Sequence, residues 1–280
     1  MPELDDARVG VYIDFDNIVI SRADQARDEK LADATVDLDA ILDFASSYGT
    51  VTITRAYADW SLKKNADYRD QLVRRAVDLT QLFPVSRSKN GADIRLAIDV
   101  IEDLFRHGDL THVVIVAGDS DYIPLAQRAK RLGRTVIGIG VAGSVSRHLA
   151  AATDEYRDYD TLLKEAKQIA EVVAESESAE ESEETATETE PATRGRTPAV
   201  GRSRATQLLV RATRFLAEKH DSEWIPIGSV KNQMLRLEPQ FQESDLDFSS
   251  FSKFVASRNN LVELKGTQVR LRPAADRVGG

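Results

Sequence analysis

The sequence predicts an α/β protein built on a doubly wound parallel sheet, followed by a small winged-helix-like domain. Over the first 165 residues, five short runs rich in β-branched residues alternate with amphipathic stretches: VGVYIDF, TVTITRAYAD, LTQLFPV, THVVIVAGD and RTVIGIGVA. Several of these runs are apolar on successive residues, which is typical of strands covered on both faces. Alternation of such strands with helices favours parallel βαβ units.

Composition narrows the class of protein. The chain has 280 residues, of which 42% are hydrophobic and 30% charged, which predicts a soluble globular protein with two domains. It lacks a run of about 18 apolar residues, and the acidic start MPELDDAR has no features of a secretory signal, so we expect a cytoplasmic protein with no membrane partner. The absence of cysteine excludes disulfides, thiolate zinc sites and a cysteine nucleophile, and leaves oxygen ligands for any metal.

The net charge of −9 is unevenly distributed along the chain. Residues 171–190 hold nine Glu and no Lys or Arg, while residues 1–170 carry a net −6 and residues 194–280 a net +6. The Glu-rich stretch has almost no apolar side chains to bury, and Pro and Gly residues follow it. We therefore predict an acidic disordered linker at 167–203 between domains at 8–166 and 204–274.

Acidic residues mark the expected ligand-binding edge of the sheet. Asp14 and Asp16 end the first predicted strand, Asp119 and Asp121 follow the fourth, and Asp93 lies in the first turn of a predicted helix. In doubly wound sheets, ligands bind beyond the carboxyl ends of the strands. Carboxylates about 4 Å apart repel by about 4 kcal/mol per pair at an effective dielectric constant of about 20. A cation must offset that repulsion, and oxygen ligands favour Mg²⁺ or Mn²⁺.

Simpler interpretations of these residues remain open. Four of them could act as helix caps or as acids that favour a helix dipole: Asp16, Asn17, Asp93 and Asp121. Asp14 and Asp119 each directly follow strand residues, where a carboxylate is costly unless it is paired or bound to a metal. Helical periodicity predicts that Asp99 lies on a solvated face. The four histidines show no spacing typical of metal ligands.

Four segments of the chain, in this order, resemble the NYN domains, the LabA-like and limkain-type branch of the PIN-like nucleases: YIDFDN, RAYADW, SKNGADIRLAIDV and VVIVAGDSDYIPLAQRAKRLGRTVIGIGV. The resemblance covers residues 8 to about 163. It implies a ribonuclease site with Mg²⁺ or Mn²⁺ held by carboxylates, made of Asp14, Asn17, Asp93, Asp119 and Asp121. It further implies that Asn17 orients a water or phosphate and that Lys89 faces the RNA backbone. Asp16 stands where these proteins often have Gly or another acid, which leaves its role open.

The C-terminal part predicts three helices and a hairpin. ATQLLVRATRFLAEKH, IPIGSVKNQMLRL and FSSFSKFVASRN have helical periodicity, and LVELKGTQVRLRP alternates around a turn at Gly266. Three helices and a hairpin predict a winged helix. Through WIPIGSV and FSSFSKFV, residues 204–274 resemble the LOTUS or OST-type helix-turn-helix domains, which implies an RNA or a protein partner.

Positive charge in this C-terminal part favours nucleic acid as the partner. Five basic residues are candidates for RNA contacts: Lys253, Arg258, Lys265, Arg270 and Arg272. Phe248, Phe251 and Phe254 recur at helical spacing, and we predict that they are core residues rather than groups that stack on bases.

Three functions fit these features. The first is a metal-dependent ribonuclease whose C-terminal domain retains RNA, and the full set of acids favours it. The second is a catalytically idle RNA-binding adaptor. The third is a haloacid-dehalogenase-type phosphatase, because DFDNI is similar to its aspartyl nucleophile motif, although Asn17 replaces the small residue expected there. The sequence leaves open which RNA is bound, whether cleavage is internal or terminal, whether one metal or two are used, and the oligomeric state.

Overall fold

The computed structural model describes residues 7–29, 35–83, 91–117, 120–140, 147–184 and 201–273. The backbone divides into two compact units, Met1–Lys164 and Glu165–Gly280, which we call the N-terminal and C-terminal units. No helix within the described ranges is long and apolar enough to cross a membrane.

Six parallel strands form the described sheet of the N-terminal unit, in the order β3-β2-β1-β4-β5-β6. Their bounds are β1 Arg8–Asp14, β2 Thr50–Ala58, β3 Asp78–Gln81, β4 His112–Val116, β5 Thr135–Gly140 and β6 Glu155–Asp158. The predicted doubly wound sheet is confirmed. β6 was not predicted, because its sequence EYRD is half-buried along its whole length and shows neither an apolar run nor alternation.

Helices surround this sheet. They are α1 Phe15–Glu29, α2 Leu38–Ser46, α3 Lys63–Ala66, α4 Arg69–Arg74, α5 Gly91–Arg106, α6 Ile123–Arg131 and α7 Arg147–Ala152. A 3₁₀ turn at Ser120–Tyr122 precedes α6, and α8 spans Tyr159–Glu184. The central strands β1 and β4 are almost wholly buried, which explains their unbroken apolar sequences.

Helix α5 is anchored to the sheet by buried hydrogen bonds as well as by apolar packing. The Tyr12 hydroxyl of β1 donates to Asp103 Oδ2 at 2.9 Å, and the Tyr57 hydroxyl of β2 donates to Asp99 Oδ2 at 3.0 Å. Arg55 of β2 lies 3.0 Å from Asp103 Oδ2 and 3.8 Å from Asp99 Oδ2. The prediction of a solvated face for Asp99 is therefore wrong: this carboxylate is 5% exposed, and the tyrosine hydroxyl and arginine supplied by the sheet make its burial possible.

The C-terminal unit is a small helical domain with an antiparallel sheet of order β7-β9-β8. Its described elements are α9 Arg202–His220, β7 Ile225–Pro226, α10 Ile227–Leu237, a 3₁₀ turn at Glu243–Leu246, α11 Phe251–Ala256, β8 Val262–Lys265 and β9 Gln268–Leu271. Gly266 has a φ of 61° at the hairpin turn, a conformation that glycine adopts without strain. Phe251 and Phe254 are buried and Phe248 packs against them, as predicted for a core.

Residues 167–184 depart from the predicted disordered linker. They continue α8, which runs without a break to Glu184. Ile169 and Val173, one helical turn apart, are buried in the core of the C-terminal unit together with Ala205, Leu208 and Leu209 of α9. The acidic composition predicted disorder, but two apolar residues on one face are enough to pack a helix against a core, even within an acidic sequence. The rest of the predicted linker up to residue 200 lies outside the described residues.

This packing predicts that Val173→Asp destabilises the C-terminal unit. Val173 is fully buried, so the change removes about 1.5–3 kcal/mol of apolar burial and adds the cost of desolvating a carboxylate. We expect the free energy of unfolding of this unit to fall by at least about 3 kcal/mol. Denaturant unfolding of the full chain, followed by fluorescence in a Trp60→Phe background that leaves Trp224 as reporter, measures the change.

The neighbouring Ala174 provides a matched control for this test. Its side chain is exposed on the same helix, so Ala174→Asp introduces the same charge without burying it. Equal effects of the two substitutions would contradict the assignment of residues 165–184 to the C-terminal core.

Candidate functional site

The sheet topology places Asp14 at its switch point. Strand order reverses between β1 and β4, which are neighbours in the sheet although β2 and β3 lie between them along the chain. Ligands of doubly wound folds bind in the crevice at such a point, outside the carboxyl ends of the strands. Asp14 is the last residue of β1, and Tyr122, which comes after β4 along the chain, contacts it at that edge.

The Asp14 carboxylate is buried, with 3% of the residue exposed. Its Oδ1 accepts a hydrogen bond from the backbone N–H of Asn17 at 3.2 Å, in the first turn of α1. Its Oδ2 accepts from the Tyr122 hydroxyl at 2.8 Å. Asp14 therefore caps α1 and at the same time directs its second oxygen toward Tyr122.

Tyr122 joins Asp14 to Asp93. The hydroxyl oxygen of Tyr122 lies 2.9 Å from Asp93 Oδ1, so two carboxylates from β1 and α5 meet at one phenol. A phenol carries a single hydrogen and can donate to only one of them at a time. The other contact becomes a hydrogen bond when its carboxyl holds a proton. We call Asp14 and Asp93 the carboxylate pair.

Electrostatics agrees with a shared proton at the carboxylate pair. Burial raises the pKa of the Asp14 carboxyl, the hydrogen bonds from Tyr122 and Asn17 offset part of this rise, and the charges of Asp93 and Asp16 add to it, so that the pKa is about 7. Burial and the two neighbouring carboxylates also raise the pKa of the Tyr122 phenol, which keeps its proton. The site is thus an acid-rich pocket that favours a proton or a cation.

Asp16 has a structural role that the sequence left open. Its Oδ2 accepts from the backbone N–H of Asp59 at 2.9 Å, its Oδ1 accepts from Asn65 Nδ2 at 2.7 Å, and Lys64 Nζ lies 3.6 Å away. These three partners belong to the segment that follows β2. Asp16 therefore holds that segment beside the site instead of joining the carboxylate pair.

The other residues predicted for the site differ in how far the structure describes them. Asp121 is exposed in the 3₁₀ turn and directly precedes Tyr122, while Asn17 is half-buried beside Asp14. Asp119 and Lys89 lie outside the described residues. Among the residues that are described, no group of three or more His, Cys, Asp or Glu side chains is arranged to hold a metal ion.

Arg258 is a core residue of the C-terminal unit, which corrects its assignment as an RNA contact. It is 6% exposed, its Nε donates to Thr206 Oγ1 at 3.0 Å, and its guanidinium lies 5.6 Å from the centre of the Phe254 ring. A buried guanidinium is costly unless it is hydrogen-bonded, and α9 supplies the partner. The Arg258 guanidinium therefore makes its contacts inside the domain and does not face solvent, where RNA would bind.

Two further predicted RNA contacts also have partners within the C-terminal unit. Arg270 pairs with Glu263 at 2.8 Å and with Glu223 at 3.2 Å. Arg272 Nε donates to the backbone carbonyl of Asn259 at 2.5 Å. The glutamates compensate the charge of Arg270, which weakens its attraction for phosphate.

Of the predicted RNA contacts within the described residues, Lys253 and Lys265 are exposed. Lys253 lies in the short helix α11, and Lys265 lies at the end of the β8–β9 hairpin. Lys265 Nζ is 5.9 Å from the centre of the half-buried Trp224 ring, and the Arg270 guanidinium is 4.8 Å from it. A cationic and aromatic surface therefore forms at the hairpin, a combination that binds single-stranded nucleic acid in other proteins.

Sequence reasoning missed Tyr122 as a member of the site. The sequence does contain an indication of this role. A tyrosine directly after GDSD, at the end of a predicted strand, is expected to be buried, and a buried phenol needs a hydrogen-bond partner. Nearby acids are the obvious acceptors. The pairing of Tyr57 with Asp99 and of Tyr12 with Asp103 follows the same logic.

The pKa of Asp14 predicts how pH changes stability without metal. Its folded value of about 7 lies above the unfolded value of about 3.9, so the folded state binds more protons between these values and the free energy of unfolding falls as pH rises. Asp14→Asn removes this dependence. The stability of the variant relative to the native chain should therefore rise by about 2–3 kcal/mol between about pH 5 and about pH 8.

Urea unfolding in the presence of EDTA measures this difference, with a Trp224→Phe background so that Trp60 reports on the N-terminal unit. Asp109→Asn is the control, because that carboxylate is exposed and forms an ion pair with the exposed Arg8. A gap between Asp14→Asn and the native chain that stays constant over this pH range would contradict the raised pKa.

Comparison with known proteins identifies both units. A family model for the NYN domain matches residues 8–164, and one for the OST-HTH/LOTUS domain matches residues 203–270. The chain is 29% identical over 119 residues to an uncharacterized protein of Methanocaldococcus jannaschii, over 42% of this chain and 46% of that protein. It thus spans about half the length of this curated relative.

Among solved structures, the chain is similar to a protein of unknown function from Vibrio parahaemolyticus, with 20% identity and a TM-score of 0.46, over 56% of this chain and 95% of that one. The NYN match includes both members of the carboxylate pair and spans more than half of the sequence. This chain therefore belongs to the NYN domain family of PIN-like nucleases, and an OST-HTH/LOTUS domain follows its NYN domain.

Proposed function

We propose that this protein is a divalent-metal-dependent ribonuclease whose NYN domain cleaves RNA and whose LOTUS domain retains it. The observation that carries the proposal is the carboxylate pair, made of the buried Asp14 and the half-buried Asp93 and joined by Tyr122 at the switch point of the sheet. A nuclease or RNA-binding role follows from the two domain families. Hydrolysis and metal dependence rest on the chemistry of the carboxylate pair.

The donors of this site suit a hard divalent cation. Two carboxylates lie close together, one of them in an environment that disfavours its bare negative charge, and the chain has no cysteine to compete with oxygen ligands. Asp14 and Asp93 would hold Mg²⁺ or Mn²⁺, with Asp119 and Asp121 as further ligands. A bound Mg²⁺ or Mn²⁺ supplies Lewis acidity to a phosphoryl oxygen and makes a coordinated water more acidic.

The surrounding residues fix the orientation of these ligands. The backbone N–H of Asn17 and the hydroxyl of Tyr122 restrain both oxygens of Asp14, and the first turn of α1 favours its negative charge. The buried bonds of Asp99 and Asp103 hold α5 against the sheet and so position Asp93. In this proposal the Asn17 side chain orients a water or the scissile phosphate.

The LOTUS domain would supply RNA capture. Lys253 and Lys265 offer exposed positive charge, and the half-buried Trp224 ring beside Lys265 and Arg270 adds an aromatic group to this surface. This surface contains fewer available basic residues than the five candidates named from the sequence, because Arg258 is buried and two glutamates compensate the charge of Arg270.

The phosphatase alternative loses support at Asp16. In the motif that DFDNI resembles, the second acid must be available to exchange protons with a substrate. Here both oxygens of Asp16 accept hydrogen bonds from Asp59 and Asn65, and Lys64 lies beside them. We therefore retain a ribonuclease as the proposal and an idle RNA-binding adaptor as the alternative outcome of its test.

Asp93→Asn in the full chain should abolish Mg²⁺- or Mn²⁺-dependent cleavage of RNA, by at least about 100-fold, because it removes one charge of the carboxylate pair. RNA affinity, measured by filter binding in EDTA, should stay equal or rise, since a negative charge near phosphate is lost. Cleavage of end-labelled single-stranded RNA with titrated Mg²⁺ and Mn²⁺ is the measurement.

Two further variants control this experiment. Asp109→Asn removes an exposed aspartate paired with Arg8 and should leave cleavage unchanged. The double change Lys253→Gln and Lys265→Gln should weaken RNA binding and make its dependence on salt concentration shallower, because two phosphate contacts are lost. A native chain that binds RNA but cleaves none with either metal would favour the adaptor, and unaltered cleavage by Asp93→Asn would place the active site elsewhere.

A further inference from the structure

Helix α5 has apolar residues on two opposite faces. Leu96, Val100 and Leu104 are buried in the core of the N-terminal unit. On the other side, Ile94 is 60%, Ile98 56% and Phe105 65% exposed, and Ile101 between them is partly buried. Single exposed apolar side chains are ordinary, but a continuous row along three turns of one helix is the kind of surface that binds a partner.

The spacing of this row matches a coiled-coil seam. Ile94, Ile98, Ile101 and Phe105, which we call the α5 seam, follow one another at steps of four, three and four residues. These are the steps between the core positions of a heptad repeat, in which helices pack by inserting side chains between those of a facing helix. The natural partner of such a seam is another helix with the same spacing.

The charges beside the α5 seam select the partner and its direction. Arg95 and Glu102 are exposed, lie seven residues apart and flank the same side of the seam, with 58% and 46% of their side chains exposed. The other flank has the uncharged, half-buried Ala97. When two copies of α5 pack antiparallel, like flanks face each other, so Arg95 of one copy faces Glu102 of the other, and the pair occurs twice. A parallel arrangement sets Glu102 against Ala97 and gains no charge pair.

We propose that the α5 seam binds a second copy of this chain, with the two α5 helices antiparallel about a two-fold axis. Ile98 of one copy packs beside Ile101 of the other, and Ile94 packs beside Phe105. Four seam residues per copy form an interface smaller than the roughly 1,200–2,000 Å² of stable complexes, so the dimer is a concentration-dependent one. The proposal does not depend on the proposed ribonuclease activity.

This arrangement places the two candidate sites at opposite ends of the seam. Asp93 precedes Ile94, so the two copies of Asp93 are separated by about 20 Å along the helices at 1.5 Å per residue. Each site remains at the open end of the paired helices instead of beneath the interface. One dimer thus presents two sites to a single extended RNA.

Sedimentation equilibrium of the full chain over a wide concentration range tests the dimer. The native chain should associate reversibly, and Ile98→Glu should raise the dissociation constant at least tenfold because it puts two carboxylates at the centre of the seam. Val73→Glu is the matched control, since Val73 is 64% exposed on α4 and lies off the seam, and it should leave the constant unchanged. A native chain that stays monomeric throughout, or a dimer indifferent to Ile98→Glu, overturns the proposal.

Exchanging the flanking charges tests the antiparallel direction. Glu102→Arg should weaken self-association, because Arg95 of each copy then faces an arginine, and Arg95→Glu should weaken it through paired glutamates. A mixture of the two variants should form a heterodimer tighter than either homodimer, since every flank then pairs opposite charges. Arg95 also contacts Asp99, and Glu102 forms an exposed pair with Arg106 of the same helix, so thermal unfolding checks that both variants fold. If the Arg95 variant does not fold, Glu102→Arg alone decides. Association of Glu102→Arg as tight as that of the native chain overturns the antiparallel arrangement.

Discussion

The buried carboxylate of Asp14 is the constraint on which the N-terminal unit depends. A charged carboxyl at the end of the central strand is costly to desolvate, and the protein offsets this cost with the Asn17 N–H, the start of α1 and the Tyr122 hydroxyl. Because Asp93 contacts the same hydroxyl, a second acidic group adds electrostatic repulsion at the site. Such an arrangement stores unfavourable electrostatic energy that a proton or a cation relieves, which is the expected condition of a functional site.

Helix α5 connects this site to the remainder of the domain. Its inner face combines apolar packing with the buried pairs Tyr57–Asp99 and Tyr12–Asp103, while its first turn delivers Asp93. Hydrogen bonds with defined geometry fix both the rotation and the position of a helix along its axis more tightly than apolar contacts alone. The outer face of the same helix carries the α5 seam, so one element positions a site residue and offers a surface for association.

The sheet and the meeting of Asp14 with Asp93 could be predicted from sequence, because alternating strands and helices define the topology and the topology defines which strand ends share an edge. The distant partners of buried polar side chains could not be predicted from sequence. Asp99 and Arg258 are polar residues whose burial depends on Tyr57 and Thr206, each more than 40 residues away in sequence. In α8, Ile169 and Val173 pack into the core of the C-terminal unit, although the sequence around them is acidic. Asp119 and Lys89 stay predictions, since they lie outside the described residues.

The central claim is that the carboxylate pair holds a divalent cation, and crystals of the full chain grown with Mn²⁺ test it most directly. Anomalous diffraction measured on both sides of the manganese absorption edge locates the ion independently of activity. We expect a manganese peak within coordination distance of carboxylate oxygens of both Asp14 and Asp93. A peak that contacts neither residue, or an Mn²⁺-saturated crystal with no peak at the end of β1, would contradict it.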